Sequence, residues 1–341
     1  MTKHVIIAGG GVAGMEAAGA LADMGHLVSV IEKEGNAGGH VAKWHALFPN
    51  RRPASEVTRY LEQRVKNGNI KFITRATVEK IQSHHTRGLT VEVSDGTTMN
   101  ADAVIVATGF DLFDARRKEE YGYGIYDNVI TSADLEQMFK EERLLTAGGR
   151  VPDRIGFVHC VGSRDEKVCN NHCSKVCCVT AVKQAIEVRE KLPECEVFCF
   201  YMDMRMFGPF YEELYRESQE KYNVNYIRGK VSEASSTLNN RVTLKVEDTL
   251  AGRPLKMEVD LLVLMVGMEI SISGARLAAA SGLDTGINRF LESTDHHYGS
   301  NKSKMKGVFY AGTCTAPMNI TDTISHARAA AIETMNYLSS K

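Results

Sequence analysis

The sequence predicts an α/β protein containing two sheet domains of similar design, and three observations carry that prediction. The first is the N-terminal pattern. A buried-strand run at 4–8 leads into a glycine-rich turn at 9–14, a helical run of small residues at 12–24 that stops at Gly25, and a second strand at 27–31. A β-α-β opening of this kind implies parallel strands. The second is a repetition. Asp102, an apolar strand at 103–107 and Gly109 are echoed by Asp260, an apolar strand at 261–266 and Gly267. The third is size: 341 residues, 43% hydrophobic and 24% charged, suffice for two cores of ordinary extent.

The remaining elements follow in order. Strands are expected at 70–74 and 89–93. A new cycle opens with a strand at 155–160, continues as a helix at about 175–191, and reaches a strand at 196–201. The charged, glycine- and tyrosine-containing stretch 113–150 reads as a crossover with surface loops. The expected division is therefore 1–112, 113–268 and 269–341, with the third segment returning to the first domain. A net charge of -1 without a long basic run disfavours nucleic acid and anionic membranes as partners. Met1-Thr2-Lys3-His4 passes directly into the first strand, and no apolar run approaches the ~20 residues of a membrane helix. A cytoplasmic protein with neither signal peptide nor membrane span is expected. Its eight cysteines then read as reduced thiols, metal ligands or redox groups.

Gly9, Gly11 and Gly14 form GxGxxG between a strand and a helix, with Glu32 at the end of the next strand. Gly9 permits the tight turn, Gly11 lets the backbone approach a pyrophosphate, and Gly14 lets helix and strand pack closely. The helix N-terminus offers N–H groups to the phosphates, and Glu32 is placed to accept from a ribose. This is a dinucleotide-binding, Rossmann-like site. Three segments make the chain resemble the two-domain flavoproteins of the thioredoxin reductase and glutathione reductase type. They are Glu32-Lys33-Glu34 with Gly38-Gly39, then Val106-Ala107-Thr108-Gly109, and finally Gly307-Val308-Phe309-Tyr310-Ala311-Gly312. The resemblance implies FAD, held by Gly9, Gly11, Gly14, Glu32, Lys33, Gly38, Gly39, Val78, Thr108, Gly109, Gly312 and Thr323. A late helix starting near Thr321-Asp322-Thr323 would point its N-terminus at the flavin.

The second domain lacks the glycine-rich turn of a nicotinamide site. Cys160-Val161-Gly162-Ser163-Arg164-Asp165 stands there, followed by Cys169, Cys173, Cys177 and Cys178. No cysteine pair has CxxC spacing, which weakens the reading as an NAD(P)H-dependent disulfide reductase. Helical spacing would put Cys169, Cys173 and Cys177 on one face, with Cys178 about 100° away. Buried apolar cysteines, a zinc site and an iron–sulfur cluster all compete. Adjacent Cys177 and Cys178 suit one tetrahedral ion poorly and the wider cluster better.

The Cys-Val-Gly-Ser-Arg-Asp and Cys-Ser-Lys-Val-Cys-Cys segments resemble the family of the heterodisulfide reductase A subunit. That family includes the flavoproteins of quinone-interacting membrane-bound oxidoreductase and of the sulfur-oxidising heterodisulfide-reductase-like complex. The resemblance implies a 4Fe-4S cluster on Cys160, Cys173, Cys177 and Cys178, with Cys169 a bystander. Extra ferredoxin modules are absent, Phe48-Pro49 is not followed by cysteines, and Pro317-Met318-Asn319-Ile320 lacks the family's lysine. This minimal form looks most like the sulfur-oxidising branch. The resemblance then implies cytoplasmic oxidation of sulfane sulfur, partner subunits, a lipoate-binding protein and a homodimer. The rivals are the disulfide reductase and a non-catalytic FAD-bound scaffold.

Other residues take plainer readings. Trp44, His40 and His45 read as a packed loop, His159 and His172 as solvated or hydrogen-bonded, and His296-His297 as surface. Met202 to Phe207 reads as core filling before partner surface, and Lys183 as a solvated lysine.

Overall fold

Val5, Ile6 and Ile7 are fully inaccessible, as a parallel strand flanked on both sides requires. They belong to β1 (His4–Ala8), followed by α1 (Val12–Asp23), β2 (Leu27–Glu32), α2 (Ser55–Arg64) and β3 (Ile70–Thr74). A three-stranded antiparallel sheet comes next, β4 (Val78–His84), β5 (Gly88–Val93) and β6 (Thr98–Ala101), before β7 (Ala103–Val106). The computed structural model describes residues 2–84 and 88–340.

The chain then builds a second sheet from β8 (Val129–Thr131), α3 (Ser132–Lys140), β9 (Arg154–Val161), α4 (Cys177–Lys191), β10 (Glu196–Tyr201), α5 (Tyr211–Glu220) and β11 (Asn225–Arg228). The antiparallel strands β12 (Val231–Ser236), β13 (Val242–Asp248) and β14 (Arg253–Val259) follow, and β15 (Leu261–Val266) completes the parallel sheet. Finally come α6 (Ile272–Ser281), β16 (Val308–Tyr310) and α7 (Ile320–Ser339). The first parallel sheet has the order β16-β7-β1-β2-β3, and the second β8-β15-β9-β10-β11. Each is a five-stranded sheet with crossover helices, the doubly wound arrangement.

Two units result. The first comprises Met1–Ala42, Ser55–Asp111 and Glu269–Lys341; the second comprises Lys43–Ala54 and Leu112–Met268. The Lys43–Ala54 segment thus packs with the second unit although its neighbours in sequence lie in the first. Its anchors are an ion pair from Arg51 to Glu217 at 3.1 Å and an edge contact of Phe48 with Tyr211. Stretch 113–150 is more ordered than a surface connection. Phe113, Lys118 and Tyr121 are buried, and Thr131 and Asp134 form a capping box at the start of α3. The Lys118 ammonium is held by Asp165 at 2.6 Å and Glu120 at 2.7 Å, which offsets the cost of its burial.

In the first unit α1 and α7 approach through Ala13, Ala17, Ala18, Ala327, Ala330 and Ala331, all buried in one core cluster. Small side chains allow that close approach, and Leu21 and Leu338 fill the margins. Glu16 of α1 is buried with them and takes an ion pair from Arg328 at 2.7 Å and a hydrogen bond from Tyr60 at 3.0 Å. No helix among the described residues is long and apolar enough to cross a membrane.

Candidate cofactor sites

The glycine-rich turn separates two kinds of glycine. A Cβ on Gly9 would stand 2.3 Å from the Ala107 carbonyl oxygen, and φ there is +113°. A Cβ on Gly14 would stand 1.9 Å from the Gly9 carbonyl oxygen. Both are required by the protein's own packing. Gly11 is different: a Cβ there meets only the Gly39 Cα, at 3.8 Å. No contact among the described residues requires a glycine at that position, which leaves the backbone open to the close approach of a ligand.

Gly11 is also the N-cap of α1, with no side-chain cap and no acid in the first turn, so the helix N–H groups remain for an anion. Gly38 and Gly39 have φ of +122° and +61°, and the Gly38 N–H donates to the Gly10 carbonyl at 2.8 Å, fixing a second glycine loop beside the first. Glu32 is 5% exposed. Its carboxylate accepts from the Gly10 N–H at 2.6 Å and the Glu34 N–H at 2.8 Å, so it shapes the turn besides being available to a ribose. Each carboxylate oxygen retains lone-pair capacity for a further donor.

The other expected FAD contacts belong to the same unit. Thr108 carries a buried hydroxyl without a hydrogen-bond partner among the described residues, an orphan that a bound group would satisfy. Gly109 has φ of +68°. Gly312 has φ of +72°, and a Cβ there would stand 2.7 Å from the Ala13 Cβ and 3.1 Å from the Thr323 Cγ2, which ties it to the starts of α1 and α7. The α7 N-terminus is capped by Asn319, which accepts from the Asp322 N–H at 2.8 Å, and Thr323 is buried in its first turn. The helix begins at Ile320, one residue before the expected start. Val78 is buried at the head of β4. Lys33 pairs with Asp111 at 3.5 Å. His40 stacks on Phe110 and bonds its carbonyl, consistent with a packed loop. Together these residues fit a dinucleotide.

The cysteines occupy the second unit. Helical spacing does not group them, because α4 begins only at Cys177. Cys169 and Lys175 have φ of +58° and +63°, and such left-handed residues interrupt any helix. Residues 162–176 instead form an ordered loop. Asp165 and Asn170 exchange backbone hydrogen bonds of 2.9 and 3.0 Å, and the Arg164 N–H donates to the His172 carbonyl at 3.0 Å. Ser163 and Ser174 are joined through their hydroxyls, and Ser174 accepts from the Met268 N–H at 2.8 Å. This loop stands where a nicotinamide domain would make its tight glycine turn.

Just before this loop Cys160 lies at a register shift of β9, with φ of +58°, and its sulfur is 4.0 Å from that of Cys177. Cys160, Cys177 and Cys178 are buried, Cys173 is half-buried and Cys169 is exposed. The Cys173 sulfur accepts from the Lys175 N–H at 3.3 Å. Cys177 donates to its neighbours, which raises its own thiol and brings that of Cys178 down to about 4, with His159 beside it adding a smaller push. Neither ring nitrogen of His159 makes a hydrogen bond of ordinary geometry among the described residues, and the ring is 6% exposed. The His172 Nε2 lies 2.9 Å from the Met268 carbonyl, and a contact to C=O makes it the donor.

The other cysteines contrast with these. Burial pushes Cys195 and Cys314 up to about 12 and raises Cys199 as well, as expected of apolar core thiols. Among the described residues, no three His, Cys, Asp or Glu side chains converge as a single metal ion would need. Cys160, Cys177 and Cys178 are buried in one core cluster, and the hydrogen bonds from Cys177 bias the thiols of both Cys160 and Cys178 towards thiolate, the form in which cysteine binds a metal.

The reading of Lys183 changes, and that of the methionines at 202–206 does not. Lys183 is not solvated: it is 1% exposed and paired with Glu136 and Glu187. Its i,i+4 spacing to Glu187 on this helix was the available signal. Met202, Met204 and Met206 pack against the core of the second unit, and Phe207 is left exposed. His296 and His297 are on the surface.

Comparison with known proteins identifies the family and the fold. Residues 1–130 match the pyridine nucleotide-disulphide oxidoreductase family. The fold is that of thioredoxin reductase. The enzyme from T. acidophilum superimposes with a TM-score of 0.68 at 20% identity, covering 99% of this chain and 98% of that one. The Lactococcus lactis enzyme gives 0.69 at 16% identity, covering 100% of both. In sequence, the A subunit of the H(2)/formate:CoB-CoM heterodisulfide,ferredoxin reductase of Methanococcus maripaludis is 40% identical over 67% of this chain and 36% of its own length. The iron-sulfur A subunit of the CoB–CoM heterodisulfide reductase of Methanocaldococcus jannaschii is 31% identical over 96% of this chain and 63% of its own length. The chain therefore spans between about a third and two thirds of these relatives. With a thioredoxin-reductase fold, a glycine cradle in one unit and a thiol-bearing loop in the other, the chain belongs to the family of the heterodisulfide reductase A subunit.

Proposed function

We propose that this chain is a flavin-dependent oxidoreductase subunit that carries FAD in its first unit and a 4Fe-4S cluster on Cys160, Cys173, Cys177 and Cys178. It works in a heterodisulfide-reductase-like complex, in the cytoplasmic oxidation of sulfane sulfur. Its partners are the other subunits of that complex and a lipoate-binding protein, and the chain itself is a homodimer. The observation that carries the reading is Gly11, free of any intramolecular reason to be glycine, in a family member whose second unit has thiols where a nicotinamide turn would be.

FAD exchanges electrons in pairs or singly and a cluster carries one at a time, so the two connect two-electron with one-electron chemistry. The chain's own contribution is positional. The α1 N-terminus binds a pyrophosphate, Glu32 fixes the turn that presents it, and the α7 N-terminus offers positive potential to a reduced ring. The hydrogen bond from Cys177, with a smaller push from His159, biases Cys178 towards the thiolate that a ligand must be.

The loop at 162–176 also yields a test against the disulfide-reductase rival. A dinucleotide needs backbone N–H groups at a tight strand-to-helix turn, and here that route is taken up by the Asp165–Asn170 and Ser163–Ser174 contacts. Stopped-flow mixing with NADH or NADPH should leave the flavin absorbance unchanged for seconds, whereas the complex supplied with persulfidated lipoyl protein should bleach it. Rapid stoichiometric bleaching by either nicotinamide would replace this reading with the reductase.

A further inference from the structure

The charges around Lys183 do not balance. Its ammonium meets Glu136 of α3 and, at 3.0 Å, Glu187 one turn further along α4. The three residues are 1%, 4% and 5% exposed. Glu136 also accepts from the Gln184 amide at 2.7 Å and from the His45 N–H at 2.9 Å. One cation thus faces two carboxylates where a surplus charge is costly. The hydrogen bonds give the same answer. Glu187 Oε2 lies within ion-pair distance of Lys183 but outside hydrogen-bond geometry, and it and Gln184 Oε1 are buried acceptors without a donor among the described residues. The network is one proton short, and a proton on Glu187 would remove the surplus charge and supply an O–H.

Burial pushes the Glu187 carboxyl up to about 7, against the pull of Lys183 and with a further push from Glu136 and Glu190. The other charged groups nearby are His45, held down by burial on the far side of Glu136, and Arg51, which pairs with Glu190 at 3.3 Å. Tyr222 donates to Glu190 as well, at 2.6 Å.

The helix that carries Glu187 starts with Cys177 and Cys178. At 1.5 Å per residue the carboxyl lies roughly 14 Å along the axis from Cys178. We propose that Glu187 is a redox-linked protonation site, taking one proton from solvent when the centre on these cysteines gains one electron and releasing it when the electron leaves. The inference rests on the cluster reading above. The electron comes from reduced flavin in the enzyme or from dithionite in the test, and charge balances because one negative charge and one proton arrive together. At an effective dielectric constant of about 20, a charge added at that distance changes the proton affinity by roughly five- to tenfold.

The test is a dithionite titration of the anaerobic full chain across neutral pH, with the cluster followed by electron paramagnetic resonance. The midpoint potential of the wild type should fall as pH rises through neutrality and level off on either side. Glu187→Gln, which mimics the protonated acid, should abolish that step and stay at the low-pH value. Glu136→Gln leaves Lys183 to Glu187 alone and should move the step to lower pH by about one unit or more.

Stability gives a second readout. A carboxyl raised above its unfolded value of about 4.3 favours the folded state most below that pH, and the contribution is lost as pH rises through 7. Urea unfolding should show that loss in the wild type and not in Glu187→Gln. A cluster-bearing wild type without the potential step, or a step unmoved in both variants, overturns the inference. A chain that binds no cluster overturns the preceding reading instead.

Discussion

Replacing Gly11 with valine is expected to give a folded protein that is largely colourless as isolated. Among the described residues the Cβ at this position would meet no atom nearer than the Gly39 Cα at 3.8 Å, so the turn has room for a branch at Cβ that Gly9 and Gly14 lack. The pyrophosphate does not, because its oxygens must approach the N–H groups at the head of α1 to within hydrogen-bond distance. FAD affinity should fall by on the order of a hundredfold or more, about 3 kcal/mol, with the thermal unfolding of the apoprotein little changed. Gly14→Ala is the contrasting variant. Its Cβ would lie 1.9 Å from the Gly9 carbonyl oxygen, a backbone atom that cannot swing away. That change should cost folding stability by about 1–3 kcal/mol, as overpacking does, and flavin loss would follow from the damaged turn. Flavin absorbance and circular dichroism, measured on both variants, separate the two effects. Full FAD occupancy in Gly11→Val would remove the argument for the site.

The second large effect is expected at the cysteines. Serine at Cys177 should abolish the cluster while FAD remains, since Cys177 is fully enclosed beside Cys160 and hydroxyl is a poor substitute for a thiolate ligand. Serine at Cys169 should leave the iron content unchanged, because that residue is exposed at the left-handed end of a short turn. Iron and flavin assays on the two variants check this directly. Iron loss in Cys169→Ser with retention in Cys173→Ser would mean that the ligand set is different.

Much of the scaffold was legible because it obeys simple periodicities. Apolar runs at 4–8, 103–106 and 261–266 are strands buried on both faces, and Gly9 and Gly14 mark a turn whose packing only glycine satisfies. What escaped was set by tertiary context. Cys160, Arg164, Cys169 and Lys175 all adopt left-handed backbone without being glycine. The i,i+4 spacing of Cys169, Cys173 and Cys177 therefore suggested one helical face, an arrangement that the long-range contacts of Ser174 and His172 with Met268 exclude. Lys183 looked like a surface lysine because its partner Glu136 lies 47 positions away. Lys43–Ala54 joined the second unit through Arg51 and Phe48, whose partners on α5 are more distant still in sequence.

The central claim is that one chain holds one flavin and one four-iron cluster. Anaerobic isolation followed by quantification of FAD, iron, acid-labile sulfide and zinc tests it most directly. The account predicts one FAD with about four iron and about four sulfide per chain, and no stoichiometric zinc. Flavin accompanied by zinc without iron, or by no metal at all, would contradict it.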